Sequence, residues 1–537
     1  MQKRYLFYFK PLSLMMLSIS GGTGIAQKNT IHQKPNILLI MADDMGYSDI
    51  GCYGSEISTP NIDRLAARGM RFKNFYNNTK SCPSRASLLT GLYNHEAGMG
   101  NMVTSSGGEI KPGPYQGFLN ENCVTIAEVL QEAGYSTYMA GKWHVGERPE
   151  HWPLQRGFEK YFGLIGGGNS YFELIEKQMT QTVYMNELWY PPDDNFYITQ
   201  AFADSATSFL RSHFKNKKSE PFFLYLAFTA PHFPLHALEE DIIKYEGQYD
   251  IGWDSLRLER YERMKKLGII DKDCLLSPRT PGLQAWAEVE DKPLWSRRMQ
   301  VYAAMIDRMD QGVGKVVKEI KKNGQINNTI IVFLADNGAC ATNASTRNLA
   351  VPGIPVGARG SYDSYRSQWA NASNTPYRFY KISLFEGGTR TPLIVHWPSV
   401  IKNGGEITDQ FGHIIDIMPT FCEAAGIEYP EKFNNQNIKP FRGKSLLPAF
   451  LGKPVDRPEP VFWEHVGGKA LREGRWKLVT RRAGAEWELY DLECDPTELN
   501  DLSESKSEIV RKMSEKYEKI AKEIGVRSVT PKKQNVN

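Results

Sequence analysis

In the stretch NILLIMADD, residues 36–44, seven uncharged and mostly apolar residues are followed by two aspartates. A continuous apolar run of this length predicts a strand that is buried on both faces of a sheet. The stretch TIIVFLADN, residues 329–337, repeats the pattern and ends in Asp336 and Asn337. Two such segments indicate a parallel sheet in which polar side chains gather where the strands end.

The remaining pattern extends this prediction along the chain. Further apolar runs lie at 135–140, 222–228 and 392–397, and helix-like stretches lie at 61–68, 124–132, 200–213 and 297–321. The alternation predicts an α/β fold: a large, mostly parallel sheet that is sandwiched by helices. Ligands bind beyond the carboxyl ends of such strands. The residues that end the runs are therefore the candidate site: Asp43, Asp44, Lys142, His144, His232, Asp336 and Asn337.

The pattern changes after about residue 455. Short strand-like pieces at 461–464, 470–472, 477–480 and 487–490 are followed by a helix-like stretch at 507–524. These pieces predict a small antiparallel sheet with one helix packed on it. We therefore expect a catalytic α/β domain at 34–455 and a C-terminal α+β subdomain at 456–530.

The N-terminus has the pattern of a secretory signal peptide. Lys3, Arg4 and Lys10 precede a short apolar run at 12–19, and small residues lead to Ala26. This order predicts a cleaved signal peptide at 1–26 and a periplasmic or secreted protein. The apolar run is too short to span a bilayer, and we expect no membrane span elsewhere.

Composition excludes other classes of protein. The chain has 537 residues, with 65 Lys+Arg against 61 Asp+Glu and a net charge of +4. Without a concentrated basic face, we expect no nucleic-acid partner. The 7 cysteines are widely spaced and form no CxxC pair, which argues against a zinc or iron–sulfur site. One disulfide is compatible with the sequence, and the spacing does not choose it.

The strand ends predict a metal site. Asp43, Asp44, Asp336 and Asn337 offer hard oxygen donors of the kind that calcium or magnesium prefers. Aspartates that follow strands also cap turns and helices, which is the structural alternative for either pair alone. The presence of both pairs at one edge of one sheet favours a metal site over the capping role.

The segment SCPSRASLLTG, residues 81–91, carries a family resemblance. It resembles the signature of the formylglycine-dependent (type I) sulfatases of the alkaline phosphatase superfamily: Cys or Ser, any residue, Pro, Ser, Arg, three residues, Leu, Thr, Gly. In that family the first residue is converted to formylglycine (3-oxoalanine). Pro83 and Arg85 follow Ser81 by two and four residues, so the register assigns the modified position to Ser81 rather than to Cys82. The resemblance thus implies a Ser-type protein, matured by a radical enzyme.

Other segments resemble the arylsulfatase-type branch in the family's order, from about residue 34 to residue 500. They are GKWH at 141–144, PHFP at 231–234, YK at 380–381 and EGGTRTP at 386–392. The resemblance implies an alkaline phosphatase-like fold, one calcium ion and hydrolysis of sulfate monoesters.

The resemblance also implies a role for each site residue. Asp43, Asp44, Asp336 and Asn337 would bind the metal together with the modified residue 81. In catalysis, Arg85 would hold the formylglycine diol and His144 would deprotonate it. Lys142 and Lys381 would bind sulfate oxygens. His232, with Lys381, would protonate the leaving oxygen. In this chemistry one diol hydroxyl attacks sulfur and the other later expels sulfate, which avoids a stable serine sulfate ester.

The substrate expected from the resemblance is a sulfated carbohydrate or an aryl sulfate ester, with 3-O-sulfated galactose at a chain end as the specific candidate. We expect the segments 161–197 and 236–295 to shape its pocket, with His95, His236 and His465 as further candidates. Two alternatives stay open. The first is a phosphatase or phosphodiesterase of the same superfamily, which needs two zinc ions and more histidine ligands; the second is an inactive glycan-binding relative.

Overall fold

The computed structural model describes residues 33–103, 111–172 and 182–527. The predicted signal peptide therefore lies outside the described residues, as does the end of the predicted C-terminal subdomain. No helix in these three ranges is long and apolar enough to cross a membrane.

A mixed sheet forms the centre of the described chain. It consists of β1 (Asn36–Ala42), β2 (Met70–Tyr76), β3 (Ser136–Lys142), β4 (Lys160–Leu164), β5 (Val183–Met185), β6 (Leu188–Trp189), β7 (Phe222–Ala227), β8 (Thr329–Ala335), β9 (Arg390–His396) and β10 (Glu406–His413). The strand order is β10-β2-β9-β8-β1-β7-β3-β4-β5-β6. The central strands β8, β1, β7, β3 and β4 are all parallel, which confirms the predicted fold class.

Helices cover both faces of this sheet. The helices of the described residues are α1 (Pro60–Ala67), α2 (Ser81–Thr90), α3 (Ile126–Glu132), α4 (Ile198–Asn216), α5 (Glu239–Ile242), α6 (Gly252–Leu267), α7 (Lys292–Lys322), α8 (Arg366–Ser373), α9 (Glu386–Thr389), α10 (Ile417–Ala425), α11 (Leu447–Phe450) and α12 (Ser507–Ile524). Side chains of β1 alternate between the faces. Leu38 and Ile40 pack with α4 and α7, whereas Ile37 and Leu39 pack with α2, α3 and α10.

Strand β9 is an antiparallel member of this mostly parallel sheet. It is antiparallel to both β8 and β2. After β8 ends at Ala335, the chain supplies Asp336, Asn337 and Lys381 to the candidate site at the carboxyl edge before β9 begins at Arg390. The chain therefore enters β9 from that edge and runs back across the sheet.

The C-terminal part has the predicted architecture. Strands β13 (Val461–His465), β14 (Gly468–Glu473), β15 (Trp476–Thr480) and β16 (Trp487–Asp491) form an antiparallel meander, after a two-stranded ribbon of β11 (Lys432–Phe433) and β12 (Gln436–Asn437). Helix α12 packs Met513 and Tyr517 against Phe462 of this sheet.

A buried ionic cluster fastens the small sheet to the catalytic part. Lys477 on β15 lies 2.7 Å from Glu386 at the start of α9 and 2.9 Å from Glu498. All three side chains are almost fully buried. Removing one member of a buried charge cluster leaves its partners without compensation, which is costly.

Cysteine pairing plays no part in this fold. All 7 cysteines are unpaired, and all except Cys494 are buried. The disulfide that the sequence left open is therefore not formed.

We expect Lys477→Met to lower the unfolding free energy by about 3–5 kcal/mol, because Glu498 loses its buried cation and Glu386 is left with the more distant Arg390, at 3.5 Å. Lys512→Met is the control, since Lys512 forms an exposed pair with Glu508 on α12 and such pairs contribute about 0–1 kcal/mol. Urea unfolding followed by tryptophan fluorescence measures both. Similar small losses in the two variants would show that the cluster does not fasten the sheet.

Candidate active site

Strand pairing brings the two acidic segments together. Strands β1 and β8 are parallel with Ala42 opposite Ala335, so the aspartates that follow each strand are neighbours. Carboxylate oxygens of Asp43, Asp44 and Asp336 all lie within 4.8 Å of one another, and all three residues are buried.

Three oxygens in this cluster have no hydrogen-bond partner. They are Oδ1 of Asp43, Oδ2 of Asp44 and Oδ1 of Asn337. Buried polar atoms are almost always satisfied in proteins, so three unsatisfied oxygens in one cluster need a common explanation. A hard divalent cation such as calcium supplies one, because it takes carboxylate and amide oxygens as ligands. The residues present therefore fit the expected metal.

Three cationic side chains face the same carboxylates. Lys142 Nζ lies 2.6 Å from Asp43 Oδ2, Arg85 donates to Asp336 Oδ2 over 3.3 Å, and Lys381 pairs with Asp44 Oδ1. These charges balance the three carboxylates. A bound divalent cation would therefore leave the site with a net positive charge, which favours an anionic substrate.

The electrostatics of the aspartates are strongly perturbed. Burial raises the pKa of Asp43 to about 8, the Asp336 carboxylate adds to this shift, and Lys142 and Arg85 oppose it. Burial also acts to raise the pKa of Asp44, but Lys381, His232 and a hydrogen bond from Asn337 outweigh it and hold that pKa well below its usual range. Crowded, desolvated carboxylates are typical of functional sites.

Ser81 begins helix α2, beside the carboxylates. Arg85 lies one turn further along the same helix, and its Nε donates to Ser81 Oγ over 3.0 Å. The four-residue spacing of the motif therefore places the guanidinium over the hydroxyl. His144 Nδ1 lies 3.4 Å from the same oxygen. The free backbone N–H groups of the helix N-terminus favour an anion at this position.

Unusual backbone conformations aim two of these side chains. Asp44 has a φ of 65° and His144 a φ of 61°, in the left-handed region that non-glycine residues seldom occupy. Such strain is typical of functional sites that the surrounding structure holds in place. Gly141 permits the approach of β3 to β7, because a Cβ at this position would meet Ala227 O at 1.9 Å.

His232 presents one ring nitrogen to the cluster. Its Nδ1 donates to the carbonyl oxygen of Phe233 over 2.5 Å, so Nε2 is the nitrogen that faces Asp44 Oδ2, at 3.4 Å. Tyr171 donates to the backbone carbonyl of His232 over 2.8 Å and so holds the loop. Burial lowers the pKa of His232 to about 3, while the Asp44 carboxylate opposes this shift.

The predicted catalytic residues converge on one cavity of about 280 Å³, which we call the catalytic cavity. Ser81, Lys142, His144, His232 and Lys381 line it, and Arg85 lies directly beneath Ser81. The same cavity is also lined by Gly167, Gly168 and Asn169 of the expected segment 161–197, by Phe233 and Pro234 of the PHFP motif, and by residues that the sequence analysis missed: Lys80, Met102, Thr342, Arg347 and Tyr362. Lys80 could have been predicted, because it directly precedes the motif at 81–91. Arg347 and Tyr362 come from a loop without a recognisable sequence pattern.

The residues expected to shape the substrate pocket contribute unequally to the catalytic cavity. Of the two expected segments, 161–197 contributes Gly167, Gly168 and Asn169, but 236–295 contributes no described residue to the catalytic cavity. The additional histidines also lie elsewhere among the described residues. His95 pairs with Glu464 at 2.8 Å, His236 Nε2 donates to the Ser361 carbonyl over 2.7 Å, and His465 is buried on β13.

Comparisons with family profiles, known sequences and solved structures all point to one protein family. The sequence profile described as Sulfatase matches residues 35–427, and the profile described as N-sulphoglucosamine sulphohydrolase, C-terminal, matches residues 377–523. The chain is 37% identical over 535 residues to an uncharacterized sulfatase of Schizosaccharomyces pombe, covering 93% of this chain and 95% of that protein.

Two further relatives agree. The chain is 37% identical over 445 residues to an arylsulfatase of Klebsiella aerogenes, covering 80% of this chain and 94% of the relative. Among solved structures, Ps i-CgsB in complex with k-i-k-neocarrahexaose superposes with a TM-score of 0.67 and 31% identity, covering 91% of this chain and 93% of that one.

We expect the purified protein to hold about one calcium ion per chain and little zinc, because the site offers oxygen donors. Adding calcium to chelator-treated protein should raise Tm, since a ligand at about 100 times Kd stabilises by about 2.7 kcal/mol. Asp336→Asn should reduce this shift, while Asp409→Asn, an exposed surface change, should not. Two zinc ions per chain, or equal calcium shifts in the two variants, would contradict the assignment.

Proposed function

The chain belongs to the sulfatase family and is a sulfuric ester hydrolase, and on this premise we propose that it removes O-sulfate from a sulfated sugar. Its two cofactors would be formylglycine, which is made from Ser81, and one calcium ion. The observation that carries this proposal is the position of Ser81 Oγ, which contacts Arg85 and His144 beside the three unsatisfied oxygens.

Residue 81 would act as the nucleophile once it is modified. The hydrated aldehyde of formylglycine supplies a hydroxyl for attack on sulfur and a second one for release of sulfate. Arg85 Nε holds the oxygen at this position, and His144 Nδ1 faces it as the group that takes up a proton. Both contacts restrict the side chain to one orientation, which favours attack.

The sulfuryl group would bind between two lysines. Lys142 and Lys381 both line the catalytic cavity, and each is already paired with a carboxylate of the metal cluster. Their ammonium groups are therefore positioned before the substrate enters. Positioned charges stabilise the negative charge on the sulfuryl oxygens in the transition state.

Calcium would be bound by Asp43, Asp44, Asp336, Asn337 and the modified residue 81. When bound, it adds positive charge at the sulfuryl oxygens and at the nucleophile. The described residues contain one such group of acidic side chains, whereas a two-zinc phosphatase needs a second group with histidines. The convergence of the predicted catalytic side chains on one cavity supports an active enzyme over an inactive binding relative.

His232 would protonate the leaving oxygen. Its Nε2 faces the catalytic cavity beside Asp44, and Lys381 lies on the same carboxylate. An anionic substrate next to Nε2 favours the protonated ring, because opposite charges raise the pKa of an imidazole. The leaving alcohol would then depart as a neutral molecule.

The substrate we propose is a sulfated carbohydrate, with 3-O-sulfated galactose as the specific candidate, and aryl sulfates should also be cleaved. Support comes from the 37% identical protein named arylsulfatase and from the structure of a 31% identical protein with a carrahexaose. We further propose export through the N-terminal signal peptide and maturation by a Ser-type radical enzyme.

Modification should occur at Ser81 and not at Cys82. Conversion of the hydroxyl to an aldehyde removes two hydrogens, so peptides from a host with a Ser-type maturase should lose about 2 Da at residue 81. In a host with Cys-type maturation alone, wild type should be nearly inactive and Ser81→Cys should be active. Cys82→Ala is the matched control and should keep the modification at residue 81. An aldehyde at residue 82 would overturn this proposal.

His232→Ala should slow the cleavage of alkyl sulfates far more than that of activated aryl sulfates. A poor leaving group needs its proton in the transition state, and general acids contribute roughly 10²–10⁴-fold. His151→Ala is the control, because His151 stacks on Phe118 outside the catalytic cavity. Steady-state kcat/KM for both substrate types measures the effect. Equal losses on the two types would exclude His232 as the acid.

A further inference from the structure

A second cavity adjoins the catalytic cavity. It has a volume of about 590 Å³, and we call it the side cavity. Thr342 and Lys381 line both cavities, so the two meet at Lys381. Lys381 and His232 both lie on Asp44, which places the side cavity next to the proposed acid rather than behind the nucleophile.

The lining of the side cavity is cationic and aromatic. Its charged lining residues in the described chain are Arg378, Lys381 and Arg481, and no acidic side chain lines it there. Lys381 and Arg481 each pair with a carboxylate outside the lining, Asp44 and Glu488 respectively. Phe379, Tyr380 and Phe385 supply aromatic surface. Cationic groups bind sulfate groups, and aromatic faces provide rigid apolar contact area. A sulfated sugar combines the two matching features.

Arg378 carries a positive charge without an ion-pair partner in the described chain. Its guanidinium lies over the rings of Phe379 and Phe385, at 5.1 Å and 4.9 Å. One of its nitrogens donates to the carbonyl of Glu498 and to Tyr490 Oη, and both of these acceptors are uncharged groups. A half-buried charge with neutral partners favours an anionic ligand.

The backbone that separates the cavities is strained. Phe379 and Ile382 have φ values of 61° and 80°, and a positive φ is a genuine outlier for a β-branched residue. Hydrogen bonds from Lys381 N to Ala339 O and from Ile382 N to Thr79 O hold the segment. Ile382 lines the side cavity and is 51% exposed. The strain thus places Lys381 in the catalytic cavity while its neighbours form the wall of the side cavity.

We propose that the side cavity is a subsite for a second, sulfated sugar unit, so that the substrate is a sulfated oligosaccharide or polysaccharide rather than a monosaccharide sulfate. This inference rests on the proposed function, because it assigns the sugar that carries the reacting sulfate to the catalytic cavity. The volume of the side cavity lies within the range of roughly 300–1,000 Å³ that is typical of small-molecule sites. Arg378 and Arg481 receive the sulfate of the second unit.

Binding to an inactive protein tests the subsite directly. Sulfated hexasaccharides from carrageenan, chondroitin sulfate and heparin, and their desulfated counterparts, are titrated by calorimetry into the Ser81→Ala protein. Arg378→Gln and Arg481→Gln are each added to this background. Arg511→Gln is the matched control, because Arg481 and Arg511 are both 60% exposed and each pairs with one glutamate.

At least one sulfated hexasaccharide should bind, and its desulfated form should bind at least tenfold more weakly. Arg378→Gln and Arg481→Gln should each weaken that binding by about 5–20-fold, since each loses a charge-assisted contact. Arg511→Gln should leave the affinity unchanged. Arg481 is exposed, so its variant should fold even if Arg378→Gln does not.

Kinetics of the matured protein separate the two proposals. In the Arg481→Gln enzyme, kcat/KM for the hexasaccharide should fall at least fivefold more than kcat/KM for an aryl sulfate. Equal affinities of the Arg378, Arg481 and Arg511 variants for every hexasaccharide would overturn the subsite, and cleavage of the aryl sulfate would then leave the sulfatase function intact. Failure of the matured wild type to cleave any sulfate ester would remove the proposed function, while the calorimetry would still decide the subsite.

Discussion

Three buried carboxylates at the end of two parallel strands are the constraint on which the site depends. The register of β1 and β8 places Asp43, Asp44 and Asp336 within one cluster, where burial opposes their negative charge. Such a cluster is stable only if cations compensate it. Lysine and arginine side chains provide this compensation, and three oxygens of the cluster remain without a hydrogen-bond partner, where we propose that the metal binds.

The compensating cations also organise the chemistry. Arg85 reaches Asp336 from helix α2 and at the same time holds Ser81 Oγ. Lys142 comes from β3, and Lys381 comes from the loop before α9. Each element that neutralises the carboxylates therefore also presents a group to the catalytic cavity. The C-terminal sheet takes part at a distance, because Lys477 fixes Glu386 at the start of α9.

The sequence predicted the residues that strand ends and a fixed motif register define, such as Asp43 and Ser81. These positions depend on local rules. The residues that follow a parallel strand lie at the carboxyl edge of the sheet, and one helical turn separates Ser81 from Arg85. The antiparallel direction of β9 was not predicted individually, because it depends on where a long loop lies. Arg347 and Arg378 were missed, because loops without periodicity bring them to the cavities. Residues 236–295 do not line the catalytic cavity, although Thr280 and Pro281 of this segment line the side cavity.

A crystal structure of the matured protein, grown with calcium and inorganic sulfate, tests the central claim most directly. The expected result is a single ion bonded to Asp43 Oδ1, Asp44 Oδ2 and Asn337 Oδ1 at about 2.3–2.6 Å, with sulfate between Lys142 and Lys381. Two metal ions, or sulfate bound away from residue 81 while these three oxygens bind only water, would contradict the assignment of this cluster as the metal centre of a sulfatase.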